Sequence, residues 1–126
     1  MTQLLLVGAG GFLGANCRYL LGGLMLDWLG GGFPYATLLI NASGSLAIGA
    51  LLTLLTERLA ADPAWRLLLV VGFLGGYTTF SSYSYEALAL LGQGQWARGL
   101  AYALGSNLLS LAACAVGIAA ARAVGR

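Results

Sequence analysis

Hydrophobic positions in this 126-residue chain neither alternate nor keep to one helical face; they run almost unbroken in four blocks, roughly 4–25, 34–56, 65–91 and 96–121. A helix needs about 20 apolar residues to cross a hydrocarbon core about 30 Å thick, and each block is long enough. The breaks between them are short. DWLGGGFP carries three consecutive glycines and a proline that opens the next helix, ERLAADPAW gathers charge and proline, and GQGQ is a tight polar turn. The pattern predicts an all-α membrane protein whose residues 1–126 form a single four-helix transmembrane subunit. The N-terminal run continues past the length of a signal core without a convincing cleavage site, so it is read as the first span.

Composition agrees with lipid as the solvent. Hydrophobic residues make up 60% of the chain and charged ones 8%, against roughly 25% charged in an ordinary soluble domain. Lysine and histidine are absent, and the net charge of +2 rests on scattered arginines. That argues against a nucleic-acid partner, which needs clustered basic residues. Cys17 and Cys114 have neither metal spacing nor a disulfide pattern and read as packed thiols.

Four spans put both termini and the 57–66 loop on one side, the terminal face, with Arg58, Arg66, Arg122 and Arg126. The opposite, hairpin face has Arg98 and at most Arg18. Arginine counts set orientation, and this bias is weak, so insertion in both orientations is expected. The small residues of GAGGFLGA (8–15) and NASGSLAIGA (41–50) offer faces for close helix approach, read here as support for a dimer.

Two spans carry neutral polar stripes. Thr37, Asn41 and Ser45 follow at i, i+4, i+8 in the second, and Tyr102, Ser106 and Ser110 repeat the device in the fourth. An amide in hydrocarbon costs a few kcal/mol unless it is hydrogen-bonded, so Asn41 either joins two helices or faces a pathway. Neutral donors without a facing cation suit a small, strongly hydrated anion that has to leave as well as enter.

The third span contains GFLGGYTTFSSYSYE (72–86). Gly75 and Gly76 do not enforce helix, and Tyr77, Thr78 and Thr79 have low propensity, so a break near mid-membrane is expected there. Irregular backbone at that depth has to line a cavity or be buried in protein, and a cation is one partner for its freed carbonyls. Past the break Phe80 and Tyr83 share a helix face, where their ring edges can meet an anion without a formal charge. Arg18 and Glu86 lie at similar depth from the hairpin face and are expected to contact each other structurally.

GGFLGANCRY (10–19), FPYATLLINASGSLAIG (33–49) and GFLGGYTTFSSYSYE (72–86), in this order over four short spans, resemble the Fluc (CrcB) fluoride channel family. The resemblance covers nearly the whole chain. It implies a passive, fluoride-selective channel that exports cytoplasmic fluoride and so reduces its toxicity, built as an antiparallel, dual-topology homodimer with two pores. The pore asparagine falls on Asn41, the paired phenylalanines on Phe80 and Tyr83, and the serine track on Ser106 and Ser110, with Tyr102 above it; Thr37 extends the Asn41 stripe. A central structural sodium ion, one per dimer, would be held by the Gly75 and Thr78 main-chain carbonyls of each subunit. The implied location is multi-pass in a bacterial-type plasma (inner) membrane. Tyr83 departs from the family's usual phenylalanine, and Ser82 stands where threonine is common.

A small proton-coupled exporter is also four-spanning, but its chemistry needs a carboxylate in the first span, and residues 1–26 contain none. A non-transporting assembly subunit would explain the small residues but not the polar stripes. Enzymatic chemistry lacks histidine, a metal cluster and a nucleophile beside a base.

Overall fold

The computed structural model describes residues 1–124, so Arg126 lies outside the described residues. Within them four apolar helices long enough to cross a membrane follow one another, Thr2–Leu29, Tyr35–Arg58, Pro63–Gly92 and Trp96–Ala123. The third is interrupted. We label the elements α1 (Thr2–Leu29), α2 (Tyr35–Arg58), α3 (63–77), α4 (Phe80–Gly92) and α5 (Trp96–Ala123).

Local chemistry explains the connections. Gly30, at φ 76°, closes α1 by giving its amide to the Leu26 carbonyl, a backbone angle at which a side chain would be strained. Asp62 caps α3 by accepting the Ala64 amide at 2.8 Å, and Pro63 stands at the first helical position, where no amide is needed. The end of α2 (Leu54–Arg58) and most of α3 (Arg66–Leu74) are wound as π-helix.

Helices far apart in sequence pair through small residues. In the seam between α1 and α3, Gly10 faces the Leu68 carbonyl and Gly72, Gly14 faces the Phe73 carbonyl, and Gly76 faces Gly11. Between α2 and α5, Gly49 lies on the Cys114 carbonyl and Gly117 on that of Leu46. Contacts in the α1–α3 seam advance together along both helices, as expected of helices that start from the same membrane face. The small residues read as support for assembly are therefore used within the subunit, where backbones approach closely without a water-driven hydrophobic term. Two buried clusters complete the packing: Ile40, Leu74 and Tyr77, with Cys17, Leu21 and Phe73 against them; and Ala87, Leu90 and Tyr102, with Phe33, Leu38 and Tyr83. Cys17 and Cys114 are free, half-buried thiols.

The break falls within the expected 75–79 stretch, at its last two residues. Gly75–Tyr77 remains helical, whereas Thr78 (φ −81°, ψ 155°) and Thr79 (φ −148°, ψ 112°) are extended. Gly76 serves close approach to α1, so tertiary contact favours helix at that position, and the β-branched threonines take the extended backbone.

These seams make a sharp contrast among glycines. A Cβ at Gly14 would overlap the Phe73 carbonyl, which belongs to a helix and cannot yield, whereas nothing lies within 4 Å of one at Gly105. Gly14→Val is expected to cost about 3 kcal/mol or more and to abolish a monodisperse peak in size-exclusion chromatography, while Gly105→Ala keeps the peak and the melting temperature.

Candidate functional site

Asn41 bridges the interruption. Its Oδ1 accepts the Thr79 amide at 2.8 Å and its Nδ2 donates to the Thr79 carbonyl at 2.9 Å, so one side chain pairs the backbone as a neighbouring strand would. Thr79 then caps α4, its Oγ1 accepting the Ser82 amide at 3.2 Å, and Thr78 Oγ1 donates to the Leu74 carbonyl at 2.9 Å. Both readings of Asn41 survive, because an amide nitrogen has two hydrogens and only one of them is committed to Thr79.

The break separates the carbonyls of residues 75–78 from their helical amides, and for Gly75 and Thr78 the replacement partner of the amide is visible. In a continuous helix Gly75 would bond the Thr79 amide and Thr78 the Ser82 amide; here Asn41 and Thr79 Oγ1 take those amides. The Gly76 carbonyl, by contrast, accepts Arg18 Nε at 3.1 Å. Gly75 and Thr78 thus carry oxygens suited to a hard monovalent cation. Among the described residues no three His, Cys, Asp or Glu side chains gather, so a multivalent ion would lack the carboxylates it normally recruits.

Beside the break a cleft of about 510 Å³ opens between α2, α3, α4 and α5. Asn41, Ser45, Gly75, Thr78, Phe80, Tyr83, Ser106 and Ser110 all line it, so the structure brings together residues from both stripes and from the third span. Among the described residues no charged side chain lines it. Phe80 is exposed on the first turn of α4, 5.3 Å from Tyr83 between ring centroids and tilted by 51°. Ser106 is only 5% exposed, yet its Oγ has no hydrogen-bond partner among the described residues. A buried hydroxyl is normally paired; this one stands on the cleft wall with a donor to offer.

Thr37 and Tyr102 continue the stripes one turn toward the hairpin face and do not line the cleft. Both are buried and both bond one carboxylate: Thr37 Oγ1 donates to Glu86 Oε1 at 2.8 Å and the Tyr102 hydroxyl to Glu86 Oε2 at 2.7 Å. Of the Arg18–Glu86 contact expected directly or through water, the direct form is not made: Arg18 bonds the Gly76 carbonyl and Glu86 the two hydroxyls. Matching depth fixed neither partner, since depth says nothing about position around the bundle. Sequence reasoning also missed Asn107 and Thr79 on the cleft wall. Asn107 lies off the i, i+4 stripe; its being an amide in an apolar span, the signal that singled out Asn41, points to it equally.

Compared with known proteins, residues 5–118 match the family described as CrcB-like protein, Camphor Resistance (CrcB). The chain belongs to this family. Relatives in the CrcB family include the fluoride-specific ion channel FluC of Rhizobium meliloti, 48% identical over 98% of this chain and 99% of the relative. The FluC proteins of Solibacter usitatus and Thermus thermophilus are 51% and 52% identical, over 94% and 88% of this chain and 97% and 88% of their own.

The Asn41 bridge makes its own prediction. Asn41→Ala leaves a buried amide and a carbonyl of Thr79 unpaired, a loss of about 2–4 kcal/mol. The expected result is a lower melting temperature in detergent together with faster hydrogen exchange at the Thr79 amide, and unchanged exchange there would remove the bridge.

Proposed function

We propose that this chain is a passive, fluoride-selective channel of the bacterial plasma (inner) membrane, that it exports cytoplasmic fluoride, and that it has no enzymatic activity. The observation that carries the reading is the uncharged cleft lined by a buried, unpaired Ser106 hydroxyl and by the Phe80–Tyr83 aromatic pair. Hydroxyl and amide donors replace part of an anion's hydration shell without the grip of a full cation, which lets the ion leave. Ring edges are electropositive, so Phe80 and Tyr83 add weak coordination. Asn41, Phe80, Tyr83, Ser106 and Ser110 are assigned to the ion path. Thr37 and Tyr102 bound it one turn further on, where Glu86 already takes their hydroxyl hydrogens. The likeness to proteins named fluoride-specific channels supports fluoride as the ion.

The proposal extends to assembly. Two subunits inserted antiparallel would form two pores and bring both breaks to the midplane on the two-fold axis, and the weak arginine asymmetry agrees with dual insertion. There the Gly75 and Thr78 carbonyls, released from their helical partners, would hold one structural sodium ion between subunits. When bound, that ion supplies positive charge that satisfies the freed oxygens. The chain's own part is to present those oxygens, which the Asn41 and Thr79 hydrogen bonds accomplish.

Purified protein in liposomes is expected to release fluoride electrogenically without a proton gradient, and to pass chloride far more slowly. Equal chloride flux, or dependence on a proton gradient, would refute the channel. Asn41→Asp places a carboxylate beside the path; at about 4 Å and an effective dielectric of 20 the repulsion is about 4 kcal/mol, so fluoride efflux should fall at least about a hundredfold.

Sodium is tested separately by purification in N-methylglucamine buffer. Loss of the dimer peak and of flux, both restored by added sodium, is expected; undiminished assembly and flux would leave the break without a cation.

A further inference from the structure

Tyr83 brings a hydroxyl to a cleft wall whose neighbouring ring, Phe80, has none. A phenol beside an anion path is a strong donor, and a freely turning one would hold fluoride longer than a ring edge does. The structure pairs that hydroxyl both as a donor and as an acceptor. Its hydrogen goes to the Ala103 carbonyl at 3.2 Å, and its oxygen accepts Asn107 Nδ2 at 2.8 Å. The second Asn107 amide hydrogen goes to the same Ala103 carbonyl at 2.8 Å. Because a carbonyl only accepts, that contact fixes which end of the amide is nitrogen.

We infer that Asn107 is a positioning residue for conduction: it holds the Tyr83 hydroxyl on α5, away from the anion, so that Tyr83 meets the ion path as a ring alone. The inference rests on the proposed fluoride channel. With both amide hydrogens committed, Asn107 itself offers the ion no donor, although it stands on the cleft wall. The ring also packs against Tyr102, at 5.5 Å between centroids. Two packed neighbours and a tethered hydroxyl leave Tyr83 one orientation relative to Phe80. Tyrosine thereby does the work of a plain ring, at the cost of requiring a partner on α5.

The dependence of one residue on the other supplies the test. Fluoride efflux is measured from liposomes for four chains: wild type, Asn107→Ala, Tyr83→Phe, and the double variant. Each Asn107→Ala effect is taken relative to its own background, and melting temperature is read in parallel. In the tyrosine background Asn107→Ala removes the shorter of the hydroxyl's two tethers and leaves only its 3.2 Å bond to the Ala103 carbonyl, so the hydroxyl can turn to the path and efflux is expected to fall about fivefold, the scale of one hydrogen bond. In the phenylalanine background there is no hydroxyl to hold, so Asn107→Ala should change efflux by less than a factor of about two. Equal losses in both backgrounds would make Asn107 a packing residue and overturn the inference, whatever the melting temperatures do. So would an unchanged Asn107→Ala chain, or a Tyr83→Phe chain that passes no fluoride. Absence of fluoride efflux from wild type would instead overturn the channel reading, and this inference with it.

Discussion

One amide side chain supplies what hydrocarbon cannot. Extended backbone inside a membrane exposes groups that neither lipid nor a continuing helix can pair, and each left unsatisfied costs several kcal/mol. Asn41 meets this constraint by offering an acceptor and a donor to the two backbone groups of Thr79. The third-span wall of the cleft follows from that pairing. It fixes the point at which α4 starts, which puts Phe80 on the first turn and Tyr83 one turn on, and it withdraws the Thr79 amide from Gly75.

The pairing requires α2 to come close to the interruption, and glycine makes that approach possible. Gly44, three residues beyond Asn41 and so on the same helix face, meets the Thr78 methyl and the Tyr77 ring where a Cβ would not fit. Ser43 takes up the Tyr77 hydroxyl at 2.8 Å, so the residue before the break is anchored too. On the other side, the α1 seam holds Gly72 and Gly76 by backbone proximity. The third span is thus clamped between α1 and α2 at its two extended residues and in the turn before them. Polar pairing decides the conformation there, and small residues decide whether the partners reach each other.

The sequence exposes these layers unequally. Four spans and their breaks follow from hydropathy and from Gly and Pro, because the membrane acts on every residue of a span alike. The stripes through Asn41 and Ser106 are legible from helical periodicity, and they do converge on one cleft. What periodicity omits is rotation about each helix axis and the identity of the opposite wall. Hence Thr37 and Tyr102 keep their predicted level and face Glu86, and Arg18 at its predicted depth bonds Gly76. Where the break falls within 75–79 is set by a related effect: the missing side chain of Gly76 serves close approach to α1, the glycine pair stays helical, and Thr78 and Thr79 take the extended backbone.

Keeping formal charge out of the cleft is a consequence of these pairings as well as of composition. The two ionisable side chains deep in the spans are each committed to neutral groups, Arg18 to a backbone carbonyl and Glu86 to two hydroxyls. Had Arg18 faced an anion at about 4 Å, their attraction at an effective dielectric of 20 would be about 4 kcal/mol, roughly a thousandfold in residence time. A path meant to release its ion loses throughput on that scale, whereas hydroxyl and amide donors bind by increments near 1 kcal/mol that several sites can share. The bond from Arg18 to Gly76 therefore has two effects: it satisfies a carbonyl freed by the break, and it places the guanidinium outside the set of residues that line the cleft.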